Sequence, residues 1–318
     1  MATPNPSPTS LYLGVDGGGT KTLAVIVNGQ GEELARGQAG SSNIAALGLE
    51  TATRNIFLAV EQAKALLQIP DPITIKKAWL GLAGFERKRG DHERVFPLVQ
   101  SLANDVLITN DSELLLSALD GAIGIALVAG TGSIAMGRDH NGKVRRAGGW
   151  GHVMGDEGSG FELGRQALHA ATRAADGRGP QTLLLDLILR YWKLDTPDDI
   201  ISFVYPFSEK HIIADLSRCV FEAAEAGDTV AQQILATAAA ELALAVAALG
   251  RQLDFPEKRL PLALAGSLLV RQEHFREQML THLRKEFTIG PVAIVKEPGV
   301  SAARATITMG PASDWNAL

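Results

Sequence analysis

Two glycine-rich turns, each set between apolar runs of β character, constrain this chain more than any other feature. Val15-Asp16-Gly17-Gly18-Gly19-Thr20-Lys21-Thr22 stands near the start, and Val128-Ala129-Gly130-Thr131-Gly132-Ser133 more than a hundred residues later. Glycine permits φ > 0 and lets backbone N–H groups approach an anion, while Thr20, Thr131 and Ser133 add hydroxyl donors. Two loops of one design predict a duplicated phosphate clamp for a nucleoside triphosphate held between two lobes. An ordinary hairpin turn is the alternative for either loop, but three consecutive glycines before Thr-Lys-Thr exceed what a turn needs. Neither loop is a Gly-x-x-x-x-Gly-Lys-Ser/Thr motif, and neither lies between a strand and a helix as a dinucleotide fingerprint does.

The 318 residues, 46% of them hydrophobic, are enough for two lobes with separate cores. A net charge of −5 offers no broad basic surface, so no nucleic-acid partner is expected and anion binding must come from local backbone geometry. Met1 to Ser10, rich in Pro, Ser and Thr, reads as a disordered tail rather than a signal peptide. The apolar run Ala231 to Leu249 carries Gln232, Gln233, Thr237 and Glu241 and reads as a packed helix rather than a membrane span. A cytoplasmic protein with no membrane partner is therefore expected. Cys219 is the only thiol, which excludes an intrachain disulfide and a cysteine-rich zinc site.

The pattern along the chain predicts strands at Leu11–Asp16, Leu23–Asn28 and Glu33–Gln38, a helix over Leu49–Leu67, a strand at Lys77–Leu82, a helix over Arg94–Leu102 and a strand at Val106–Thr109. A second series begins at Ile123–Ala129, Ile134–Arg138 and Val144–Ala147. After a mainly helical insertion it continues with a strand at Leu260–Ala265, a helix over Leu268–Phe287 and a strand at Val292–Val295. Three strands, helix, strand, helix, strand occur twice.

These motifs resemble the superfamily of sugar kinases, heat-shock chaperones and actin, and within it the N-acetylglucosamine kinase branch of the family that also contains the dehydratase-activating ATPases. The resemblance spans Leu11 to Met309. Its most specific segment, Gly148-Gly149-Trp150-Gly151-His152-Val153-Met154-Gly155-Asp156-Glu157-Gly158-Ser159, resembles the sugar-site loop of those kinases nearly residue for residue. It implies an α/β fold of two actin-like, ribonuclease H-like lobes, each a mixed five-stranded sheet flanked by helices, with the active site in the interlobe cleft. The lobes are expected at 11–116 and 117–300, with a helical insertion at 159–258 and a C-terminal helix near 301–318 packing back on the first lobe. A homodimer is implied by the resemblance alone.

Asp111, just beyond the strand Val106–Thr109, is a carboxylate able to accept the proton of a hydroxyl attacking a γ-phosphorus, and the resemblance makes it the general base. The alternative, a cap for a helix over Ser112–Leu119, is compatible with that role. Asp16 is expected to hold Mg²⁺, through water, beside the phosphates of ATP. Hydrogen bonding within its own turn is the other reading. Gly18, Gly19, Thr20, Gly130, Thr131, Gly132 and Ser133 are the expected phosphate contacts; Lys21 meets a phosphate or solvent. Leu264-Ala265-Gly266-Ser267 resembles the superfamily's adenosine motif, with Gly266 against the nucleoside. By resemblance Asn43, Gly149, Trp150 and Asp156 contact the hexose, although Asp156 as a cap for the helix Ser159–Ala174 and Trp150 as a core anchor stay open. His152 reads as structural.

The resemblance thus implies an ATP- and Mg²⁺-dependent kinase acting on the 6-hydroxyl of N-acetylglucosamine, with glucosamine or N-acetylmuramic acid as alternative substrates. A sugar-sensing ATPase switch is the competing class. The dehydratase-activator reading fails on thiols: its shared iron–sulfur cluster needs four, and two copies of Cys219 supply two. Sugar choice is expected to lie in loops such as Gly84–Asp91 or in the insertion 177–207, and within the former Arg87, Lys88 and Arg89 are either contacts to an acidic sugar substituent or a solvated face.

Overall fold

A computed structural model of the chain describes residues 10–69, 72–85, 90–206 and 209–312. Most of the tail expected at 1–10, and Arg87, Lys88 and Arg89, lie outside the described residues.

The first series is β1 (Leu11–Gly17), β2 (Lys21–Val27), β3 (Glu33–Gly40), α1 (Ile44–Ala65), β4 (Ile75–Leu82), α2 (Asp91–Val99), β5 (Asp105–Asn110) and a four-residue α3 (Asp111–Leu114). The second is β6 (Gly124–Ala129), β7 (Ser133–Arg138), β8 (Val144–Gly148), α4 (Gly160–Ala175), α5 (Leu184–Trp192), α6 (Asp199–Val204), α7 (Lys210–Asp215), α8 (Ser217–Glu225), α9 (Thr229–Gln252), β9 (Arg259–Ala265), α10 (Ser267–Arg271), α11 (Glu273–Leu283) and β10 (Thr288–Ile294). α12 (Pro298–Ala305) closes the described chain. The sheets have the orders β3-β2-β1-β4-β5 and β8-β7-β6-β9-β10. The two orders are the same arrangement used twice.

By internal contacts the described chain forms two units, one of residues 10–126, 137–144 and 295–312, the other of 127–136 and 145–294. In the first, β1 to β3 form an antiparallel meander, and β4 and β5 join β1 in parallel. Side chains alternate along a strand. Leu11, Leu13 and Val15 of β1 therefore pack in a core with Ile56, Ala59 and Val60 of α1 and Val95 of α2. Tyr12 faces the other way, with Val25, Val27 and Ala303 of α12. Gly14 shares that second face, where a Cβ would lie 2.0 Å from Gly299 O and 2.6 Å from Ala303 N. The missing side chain lets α12 lie directly on β1.

Four helices differ from expectation. α1 has a non-helical break at Gly48 (φ 76), so its regular part begins where the apolar spacing places it, at Leu49, and the preceding turn is held by Asn43 as N-cap. The helix expected over Ser112–Leu119 is one α-turn followed by a 3₁₀ segment, Leu115–Ala118. The helix expected over Leu268–Phe287 is divided at Gln272, whose ψ of 84 ends α10. The C-terminal helix is shorter than expected and begins at Pro298, a residue suited to a first turn because its missing N–H needs no partner.

In the second unit, β9 and β10 run parallel. The 24-residue α9 is long and apolar enough to cross a membrane by length and composition. It packs against α4, α8 and α11, which gives its apolar face a place in the core. Asp228 starts it, accepting the N–H of Ala231 while also holding Thr182 Oγ1 and Leu183 N.

Candidate active site

The register of the first sheet puts two carboxylates at one edge. Asp16 on β1 pairs with Gly81 on β4, and Gly81 with Thr109 on β5. Asp111 follows two residues later, so both carboxylates come out beyond the carboxyl ends of parallel strands, where open α/β sheets bind ligands. Trp79 Nε1 donates to Thr109 Oγ1 at 2.9 Å in the buried interior, fixing the end of β5. Asn110, not Asp111, is the N-cap of α3: its Oδ1 accepts Ser112 N–H at 3.0 Å, and its Nδ2 donates to Phe85 O. Asp111 occupies the first helical position and accepts the same N–H at 2.9 Å.

Burial pushes the Asp111 carboxyl above its ordinary value, against the Ser112 hydrogen bonds. Asp16 is pushed up to about 6, by burial first and then by the negative charge of Asp111, with Lys21 opposing. A pair of carboxylates that disfavour each other's ionisation is a setting a hydrated divalent cation relieves, and Mg²⁺ commonly binds through one or two carboxylates plus substrate phosphates. Among the described residues, no group of three or more His, Cys, Asp or Glu could hold a metal without such help.

The first glycine turn is braced by its carbonyls. Gly17 O accepts Ala83 N–H, and Gly18 O accepts Ser42 N–H and Ser41 Oγ–H. The N–H groups of Gly19 and Thr20 have no acceptor among the described residues. Lys21 shares the β2 face of Leu23 and Val25 and lines an open hollow with Arg36 and Glu297, within electrostatic reach of Asp16. Asn43 lies past β3 at the same edge, its Oδ1 engaged by Ala46 N–H.

The second loop repeats this arrangement. Gly130 O accepts Gly160 N–H, Thr131 O accepts Phe161 N–H and Gly132 O accepts Gly130 N–H. Ser133 is taken up by the protein, its N–H donating to Asp156 Oδ1 and its hydroxyl to Glu157 O. The N–H groups of Thr131 and Gly132 have no acceptor among the described residues, and the Thr131 side chain is exposed. None of Gly17, Gly18, Gly19, Gly130 and Gly132 has a positive φ, which corrects the expected conformational role. What matters is space: a Cβ would lie 2.4 Å from Ser42 Oγ at Gly17 and 2.8 Å from Lys210 Nζ at Gly132.

Gly266 is where positive φ is required. Its φ is 87, and a Cβ would lie 2.3 Å from Ala129 O. This turn abuts the second loop and opens on a cavity of about 310 Å³ lined by Gly130, Thr131, Gly160, Ala214, Ser267 and Leu268, among others.

The loop 148–159 holds its candidates differently. Trp150 is 61% exposed, with the Arg146 guanidinium 4.6 Å over its ring, so it is no core anchor. His152 packs edge-on against Phe161. Gly149 takes φ 69 against Ile134. Asp156 is 3% exposed, sits at φ 63 and accepts from Ser133 N–H and from Lys210 Nζ at 2.6 Å. Ser159, not Asp156, caps α4. Sequence reasoning passed over Lys210, which lies in the insertion with no motif around it. Cys219 is buried, which pushes its thiol up to about 11.

Two sheets of identical strand order, each opening with a strand–turn–strand glycine loop, place the fold in the actin-like ATPase class. The chain belongs to the BadF/BadG/BcrA/BcrD ATPase family, whose pattern matches residues 13–304. Membership of an ATPase family brings the use of ATP with it. The chain is 35% identical over 262 residues to the N-acetylmuramic acid/N-acetylglucosamine kinase of Clostridium acetobutylicum, covering 81% of this chain and 85% of that one. It is 32% identical over 276 residues to the N-acetyl-D-glucosamine kinase of Dictyostelium discoideum, covering 82% and 86%. A solved Chromobacterium violaceum protein, proposed to be an N-acetylglucosamine kinase, matches at a TM-score of 0.70 and 25% identity, covering 94% of this chain and 99% of that one. Relatives of this kind are phosphotransferases whose acceptor is an alcohol group.

Proposed function

We propose that this protein is an ATP-dependent kinase of an N-acetylated amino sugar, transferring the γ-phosphoryl group to the 6-hydroxyl with Asp111 as general base. The observation that carries the reading is the shared sheet edge of Asp111 and Asp16, where burial raises both carboxyls and the charge of Asp111 raises that of Asp16 further. A raised pKa improves a carboxylate as a proton acceptor, and phosphoryl transfer otherwise asks for positioning and charge stabilisation. Asp16 is assigned to a hydrated Mg²⁺, which when bound with the nucleotide would neutralise phosphate oxygens. Gly18, Gly19, Thr20, Gly130, Thr131 and Gly132 are assigned to the phosphates through backbone N–H groups, and Gly266 to adenosine. Ser133 contributes through the loop's shape, since its own donors are engaged. Lys21 contributes charge near Asp16.

For the sugar, Asn43, Gly149 and Trp150 are assigned as contacts, and Asp156 joins them through the lone pairs its carboxylate keeps beside Ser133 and Lys210. The relatives' names favour N-acetylglucosamine, with N-acetylmuramic acid next, and glucosamine as a further candidate. A homodimer in the cytoplasm belongs to the same proposal. The test is ADP release from Mg-ATP with each of these sugars, with glucose and with none, for the native chain and Asp111→Asn. Sugar-dependent release that collapses in the variant supports the kinase; sugar-independent release that survives it favours an ATPase switch.

A further inference from the structure

Lys210 has the features of a phosphate ligand that no motif announces. It is the first residue of α7, and its ammonium is held by the buried Asp156 carboxylate at 2.6 Å. The same ammonium would lie 2.8 Å from a Cβ on Gly132, so it stands directly beside the second glycine loop. Ala214, one helical turn further along α7, lines the 310 Å³ cavity, and residues four apart share a helix face. Lys210 therefore shares the face of α7 that carries Ala214 and keeps a partly exposed side chain, 31%, while its partner is 5% exposed.

The loop also sets a direction. Its Gly130 end abuts the Gly266 turn, with the would-be Cβ of Gly130 3.9 Å from Gly266 Cα, and its Gly132 end abuts Lys210. A nucleotide with its nucleoside at Gly266 runs its phosphates along the unpartnered N–H groups of Thr131 and Gly132 toward that ammonium. We propose that Lys210 binds the β- and γ-phosphates of the nucleotide, held in place by Asp156. The inference rests on the reading of this unit as the nucleotide-holding one. A lysine here acts as a point charge on an anion, and its three donors allow one bond to Asp156 and others to phosphate oxygens.

The test is titration of ADP and AMP, by calorimetry and without sugar, into the native protein, Lys210→Met, Lys210→Arg and the charge-balanced Lys210→Met/Asp156→Asn. Loss of a charge-assisted contact is expected to weaken ADP about tenfold or more in both Met variants. AMP, lacking the β-phosphate, changes less than about twofold, and Lys210→Arg retains most of the ADP affinity. The double variant covers the case in which Lys210→Met, leaving a buried carboxylate unpaired, fails to fold. Equal losses for ADP and AMP, or none for either, overturn the proposal and leave Lys210 as a structural partner of Asp156. A native protein that binds neither nucleotide overturns the nucleotide-holding reading itself, and this inference with it.

Discussion

Asp111 and Asp16 are neighbours with different tasks, and they separate experimentally. Asp111→Asn keeps the Asn110 cap and the turn of α3 but removes the proton acceptor, so kcat is expected to fall about 10²–10⁴-fold with the KM for sugar little changed, as read by coupled ADP release. The acid limb of kcat/KM should fall near pH 6, where Asp16 takes up its proton. Asp16 also gives a stability signature of definite sign. The folded chain holds this proton more tightly than the unfolded one, so its contribution favours folding while protonated and is lost as pH rises from the ordinary value of 3.8 to about 6. In metal-free buffer at pH 7.5, Asp16→Asn should therefore be more stable than the native protein, by up to about 3 kcal/mol, though inactive. A thermal melt across pH 4 to 8 checks this: the difference should vanish at the acid end. Both residues were legible in the sequence, because a carboxylate just past an apolar strand is a local pattern. Lys210 was not, since its partner lies 54 residues away and only the folded chain brings it to Gly132.

At the level of elements, glycines separate into those the fold needs and those a ligand needs. Gly266→Ala puts a Cβ at φ 87 and 2.3 Å from Ala129 O, so it should destabilise the protein by about 1–3 kcal/mol and weaken nucleotide binding together. Gly19→Ala meets nothing within 4 Å, so melting should stay within about 0.5 kcal/mol of the native value. The KM for ATP should nevertheless rise severalfold if phosphate approaches that backbone. Chemical denaturation beside ATP saturation curves distinguishes the two cases. The strands were legible because alternation and β-branched runs report burial on two faces. The helix ends were less so: α3 packs closely on the sheet, where a Cβ on Gly81 would lie 2.7 Å from Leu114 Cβ, and the break at Gln272 has no glycine or proline at it to announce it.

At the scale of the whole chain, one strand arrangement has been used twice and loaded with different chemistry. The first copy ends its parallel strands in Asp16 and Asp111; the second carries a glycine turn at Gly266 and the helices α4 to α9 between β8 and β9. The repeat was legible from the two glycine loops and the succession of strands around them. The contents of the inserted helices were not, because their packing depends on distant partners such as Asp228 with Thr182. The division of labour predicts a divided response to ligand. AMP should slow amide exchange at 130–132 and 266–272 in the second unit while leaving 16–20 and 110–112 unchanged, whereas Mg-ADP should protect both sets. In Asp16→Asn, Mg-ADP should still protect 130–132 and 266–272 but lose its added protection at 16–20. Exchange mass spectrometry reads this peptide by peptide, since local protection reports local opening. AMP protection at 16–20 equal to that from Mg-ADP would show that the assignment of the metal, and of a phosphate contact beyond the first phosphate, to the first glycine loop is wrong.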